Sequence, residues 1–229
     1  MKQTSAVATL SCTLLVLAAA CGTADEDDVQ ETGSAAPQAA AMASTVSDEE
    51  TAEVSRLAAR AEMYRDVNVA LAEGYVPDPS GMCIDAAAEG QDPSLGAMGI
   101  HYFRPDLLGI TGMEPRVSGT GTHTDFDNPS ILIYEPQADG SLVLVATENL
   151  VWAAAWEAAG HTAPPSFLGH DYVHMVDDPA TEADEAHGFE PHYELHAWVV
   201  RHNPSGTFTP FNPAVTCEHQ TMPAGQMGG

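Results

Sequence analysis

The chain has 229 residues, seven basic against 33 acidic side chains, and a formal net charge of −26 with histidine neutral. A surface of that sign repels the phosphates of nucleic acids and the anionic faces of membranes, which argues against both as binding partners. It suits solubility or life in salt, and it attracts cations.

The N-terminus opens with Met1-Lys2, runs uncharged from Gln3 to Ala20 around Leu14-Leu15-Val16-Leu17, and ends in Ala18-Ala19-Ala20-Cys21-Gly22. A positive end, an apolar heart and a small-residue cleavage site predict a signal peptide over residues 1–20. The heart is too short for a bilayer crossing, which takes about 20 predominantly apolar residues. The cysteine after the cleavage site predicts lipidation at Cys21, although Leu17 lies one place further away than in the usual lipobox. The mature chain would then sit in the cell envelope, facing periplasm or exterior, with the lipid as its membrane contact. Gly22, where an aspartate would favour inner-membrane retention, points to the outer membrane in a host that has one. The other reading is an ordinary secretory signal with an incidental cysteine. Residues 21–47 read as the lipidated cysteine and a disordered acidic tether, since a segment with almost no large apolar side chain cannot offset its ordering entropy. Without Lys2, six arginines face 33 acids, a net of −27. Residues 48–229 are long enough for a single globular domain and show no internal repeat.

A long helix is predicted from Ser47 to Gly74. Ser47 is placed to cap it, and Asp48, Glu49 and Glu50 suit the positive end of its dipole. Val54, Leu57, Ala58, Ala61, Tyr64 and Leu71 form one apolar stripe, with Arg56, Arg60 and Arg65 off it. Strand chemistry follows. Ala97–Phe103 is a short apolar and aromatic run. Ile131–Tyr134 and Leu142–Val151 flank Gln137-Ala138-Asp139-Gly140 as a hairpin. Trp152–Ala159 reads as a short helix. Phe167–Val176 and Tyr193–Val200 are further strands, the latter stopping near Asn203-Pro204-Ser205-Gly206, which is turn chemistry. Long connections over 75–96 and 104–130 lie between. The fold class is α+β: a long N-terminal helix packed on a curved, mainly antiparallel β-sheet.

Cys12 leaves with the signal and Cys21 takes the lipid, so Cys83 and Cys217 remain as a pair in a compartment that permits disulfides. Neither has a CxxC partner, which disfavours a thiolate metal site. Ten histidines are unusual in so acidic a chain. His192, Glu194, His196 and Trp198 alternate along one strand and therefore share a face. Glu148 interrupts the apolar row Leu142, Leu144, Ala146, Leu150, Trp152. A carboxylate there is costly unless it is paired or binds a metal. Imidazoles and a carboxylate from different strands are the donors that zinc, copper, iron or manganese take. His101, Glu148, His174 and His196 are the candidate ligands. The competing reading leaves the histidines in ordinary hydrogen bonds and pairs Glu148 with Arg104 or Arg201. The spacing of His170 and His174 is uninformative, because it puts them on one face of a strand or of a helix. No Gly-x-Ser-x-Gly elbow or HExxH occurs, and Gly119-Thr120-Gly121-Thr122-His123 lacks a strand–loop–helix setting for phosphate.

Met98-Gly99-Ile100-His101-Tyr102, Leu132-Ile133-Tyr134-Glu135-Pro136, Val145-Ala146-Thr147-Glu148 and Leu195-His196-Ala197-Trp198 occur in that order. Asn203-Pro204-Ser205-Gly206-Thr207-Phe208 and Asn212-Pro213 then precede Cys217. In these motifs, from the helix to Cys217, the chain resembles an uncharacterised family of exported bacterial proteins and lipoproteins. Ala97 and Asn149 depart from the family pattern, which has glycine and tyrosine there. The resemblance implies a domain and no particular reaction, so the catalytic residues stay unassigned. Two functions remain from the sequence: a lipoprotein that binds a transition metal for chemistry or metal capture, and a non-enzymatic envelope module without metal.

Overall fold

Alanine is the strongest helix former, and the alanine-rich stretch before Ser47 joins the expected helix to make α1, Ala36–Ala61. Ser47 therefore lies within the helix rather than capping it. The computed structural model describes residues 36–221, with side chains from 48 onward. The expected signal peptide over 1–20, the lipidated Cys21 and tether residues 22–35 lie outside the described residues. The side chains described and the elements after α1 belong to the compact unit Ala41–Gly229.

The helix predicted to run unbroken to Gly74 is interrupted. A 3-10 turn, Glu62–Arg65, follows α1, and Asp66 then turns extended at φ −88°, ψ 108°. Its carboxylate accepts from the Asn68 amide at 3.0 Å and starts a second helix, α2 (Val67–Ala72). Aspartate is a preferred N-cap, so a residue that the stripe places mid-helix begins a new one. Leu57, Ala61, Tyr64 and Ala70 are buried, whereas Leu71, assigned to the stripe, is exposed.

The remaining elements are β1 (Val76–Pro77), β2 (Cys83–Asp85), β3 (Ala97–Phe103), α3 (Pro105–Leu108), β4 (Ile110–Gly112), β5 (Ser118–Gly119), β6 (Ile131–Pro136), β7 (Leu142–Trp152), α4 (Ala153–Ala158), β8 (Ser166–Phe167), β9 (His170–Asp171), β10 (Val173–Met175) and β11 (His192–Ala197). The main sheet is antiparallel, ordered β1-β3-β6-β7-β11-β10, with β2 also paired to β3. The two hairpin strands and β3 match their predicted spans closely. Phe167–Val176 does not form one strand: β8 and β9 make a separate ribbon, and only β10 joins the main sheet. Gly169 at φ 81° and Leu168 at φ 50° break the run.

The two faces of the sheet are chemically different. Leu132, Tyr134, Leu144, Val151, Leu195 and Ala197 lie on the face covered by α1, the 3-10 turn and α2. Tyr134 secures that contact by donating its hydroxyl to the Tyr64 carbonyl at 2.7 Å. Phe103, Ile131, Ile133, Ala146, Leu150 and Trp152 form the core of the other face, with Val117 and Phe189 covering them from the connections. Full burial of side chains of this size stabilises by about 1.5–3 kcal/mol each. Cys83 and Cys217 are joined in a disulfide with their Cα atoms 5.6 Å apart, tying β2 to the C-terminal segment.

Candidate metal centre

The second face also carries the ionisable groups. β11 pairs with β7 so that His196 lies opposite Glu148, Glu194 opposite Leu150 and His192 opposite Trp152. β6 puts Ile131 opposite Glu148, and β3 puts His101 opposite Ile133. Cross-strand partners share a face, so His101, Glu148 and His196 look into the same space from three strands. His196 approaches Glu148 from the adjacent strand, and His101 reaches it across β6.

All three side chains are buried: His101 is 4% exposed, Glu148 1% and His196 2%. His101 Nε2 lies 3.3 Å from Glu148 Oε2, and His196 Nε2 lies 3.5 Å from the same oxygen. None of these three atoms has a hydrogen-bond partner. An N–H···O bond prefers 2.7–3.2 Å, so both separations are long for one. They match the edge of a tetrahedron of ligands set 2.0–2.2 Å from a metal, about 3.3–3.6 Å. His101 is pulled down by burial but raised more by Glu148, leaving its pKa above the ordinary histidine value. The cluster therefore attracts positive charge.

The arginines that the competing reading offered to Glu148 are engaged elsewhere. Arg104 is bonded to Asp106 at 2.6 Å, and Arg201 to Glu135 at 2.8 Å. His174, the fourth expected ligand, does not join the site. It pairs in register with Tyr193, on the face opposite Glu194 and His196, and is exposed with its ring 4.7 Å from the Tyr193 ring. Its strand spans only Val173–Met175, and the spacing of His170 and His174 carried no information on the face it takes.

Beside this trio lies a second group: His187, His192 and Glu194, the last two fully buried. His187 Nε2 and His192 Nε2 each lie 3.3 Å from Glu194 Oε2. His187 Nδ1 meets Glu89 Oε1 at 2.6 Å, and His192 Nδ1 meets the Glu190 carbonyl at 2.9 Å. Burial lowers the pKa of His187, but Glu194 and Glu89 together hold it well above the ordinary value. Burial raises Glu194, but His187 and His192 hold it well below. Glu89 is pushed up by burial against the opposing pull of His187.

The alternation along β11 already placed His192 and Glu194 beside His196, so their share in the site was visible in the sequence. Glu89 and His187 come from connecting segments, where no spacing announces them. Both trios consist of donors that suit a transition metal, and both are able to hold one. Among the described residues no helix is long and apolar enough to cross a membrane. No family model, curated protein or solved structure matches this chain.

Proposed function

We propose that this protein is an exported envelope lipoprotein whose domain binds a transition metal through His101, Glu148 and His196. The observation that carries the reading is the convergence of three buried, unpartnered donor atoms on one point. Leaving each of them unsatisfied would cost roughly 1–3 kcal/mol, and one cation would satisfy all three. Zinc fits the tetrahedral spacing and the nitrogen–oxygen donor set; copper, iron and manganese share the donors. Bound there, a metal would act as a Lewis acid or be held for delivery. The bulge between Ile133 and Tyr134 supports the expected curvature of the sheet, since a bulge bends its strand.

Export and lipidation rest on the N-terminal pattern and the placement of Cys21. The Cys83–Cys217 disulfide is compatible with an oxidising compartment outside the cytoplasm. The resemblance of the ordered motifs to those of exported bacterial proteins agrees with the same setting.

Elemental analysis of protein purified from its native compartment tests the metal. At least one equivalent of a transition metal is expected, and Glu148→Gln should lose the equivalent that His101, Glu148 and His196 hold. Metal-free native protein that takes up neither zinc nor copper would remove the reading in favour of an envelope module without metal. Cell fractionation of Cys21→Ser tests the anchor separately, with loss of membrane association expected.

A further inference from the structure

The first trio does not account for the second. In the second, the hydrogen positions are dictated by the partners. The Glu190 carbonyl only accepts, so His192 must carry its proton on Nδ1 to make the 2.9 Å contact. The Glu89 carboxylate at 2.6 Å likewise takes the Nδ1 proton of His187. A ring that is otherwise neutral then presents a bare Nε2 lone pair, and both Nε2 atoms face the same oxygen, Glu194 Oε2, at 3.3 Å. Lone pair against carboxylate is repulsive. Two imidazolium protons or one divalent cation would relieve it.

Three features favour the cation. The partners of the rings are those that metal-binding histidines use: Nδ1–H tied to a carboxylate or a carbonyl, Nε2 left for the metal. Three carboxylates, Glu89, Glu148 and Glu194, are buried here, and among the described residues their ion-pair partners are histidines rather than arginines or lysines. One divalent ion at Glu148 leaves the other two carboxylates against His187 and His192. Finally, His187 sits at φ 37°, a left-handed conformation uncommon in non-glycine residues. The loop holding it is pinned by Arg116, which donates to the Phe189 carbonyl at 2.7 Å and pairs with Asp177 and Asp184. Such strain persists where the surroundings enforce it, and here it aims the ring at Glu194.

We infer that His187, His192 and Glu194 form a second divalent transition-metal site, coupled to the first through Glu194. This rests on the reading of His101, Glu148 and His196 as the first site. Glu194 Oε2 belongs to the second site, while its other oxygen lies toward the first, 3.6 Å from His196 Nδ1 and without a hydrogen bond of its own. The two sites differ in access. A surface cleft of about 210 Å³ reaches Glu89 and His187, lined also by Ser80, Met82 and Asp184. The cleft borders the second trio at His187, and none of the first trio's residues lines it, so the second ion is the one expected to exchange with solvent, past His187. Three protein ligands with an open position is the pattern of a reactive metal rather than a structural one.

The test is zinc stoichiometry of the full-length protein, stripped by chelator, reloaded and freed of excess zinc. Two equivalents are expected in the parent, and one each in His187→Asn and Glu148→Gln. In the parent, one equivalent should leave to a competing chelator at least tenfold faster than the other, and that fast phase should be missing from His187→Asn. A single equivalent that Glu148→Gln abolishes and His187→Asn retains would overturn the second site and leave the first standing. No zinc in the parent would overturn both. Should His187→Asn fail to fold, as judged by circular dichroism, the parent's stoichiometry and its two release phases decide alone.

Discussion

At the scale of single residues, Glu148 has the largest predicted effect. Glu148→Gln keeps the shape and removes the charge. Because even outer-shell changes cost about 10–100-fold in metal affinity, loss of this direct donor should cost more, measurable by zinc competition. Affinity should also fall on acidification, starting above the ordinary histidine value of about 6.5 because Glu148 raises His101, since the metal needs neutral imidazole and protons compete for the same lone pairs. Direct titration with zinc at stepwise pH checks this; affinity that rises on acidification would contradict imidazole ligation. His174→Ala is the control. The side chain is exposed on the opposite face, so metal content should be unchanged and stability should move by no more than about 0.5 kcal/mol. The sequence made Glu148 legible because a charge in an apolar row is conspicuous. It made His101 and His196 legible because they sit in strands. His174 was chosen by residue type alone, and a strand of three residues bounded by turns gave no pattern that fixed its face.

At the scale of elements, the hairpin of β6 and β7 was readable because period-two alternation and a glycine-containing turn agree. The break at Asp66 was not, because one aspartate in a helical stripe is as compatible with an exposed helix position as with a cap. Glu89 and His187 lie in connections whose paths are fixed by tertiary contacts, so no local pattern could reveal them. Gly99, within β3 and two residues before His101, shows what the element demands. Its φ is 124°, and a Cβ there would lie 2.7 Å from Ile133 Cγ2 and 2.8 Å from the Tyr134 carbonyl oxygen. Gly99→Ala should destabilise by about 1–3 kcal/mol and weaken metal binding by displacing His101. Thermal denaturation with parallel metal analysis reads both effects. An unchanged melting temperature would mean that β3 accommodates the methyl group without moving.

At the scale of the whole molecule, the disulfide closes a loop with a sequence separation of 134, worth at most about 5 kcal/mol in the chain-entropy model. The Cys83→Ala/Cys217→Ala double variant should therefore melt between about 5 and 15 °C lower. Scanning calorimetry tests this, and a shift under about 2 °C would show that the unfolded chain gains little from losing the bond. β2, which holds Cys83, pairs with the strand that carries His101.

The division of the sheet into a dry face and an ionisable face also bears on how the chain finds its fold. β11 alternates His192, Glu194 and His196 with Tyr193, Leu195 and Ala197. A slip of one residue against β7 would turn every side chain of β11 to the opposite face. Glu194 and His196 would then lie beneath α1, among Leu57, Val151 and Phe208, away from the carboxylates and imidazoles they face in the native register. Leu195 and Ala197 would meanwhile be driven in among the carboxylates. A misregistered intermediate is thus penalised on both faces at once, so the polar row works as a proofreading device for strand pairing.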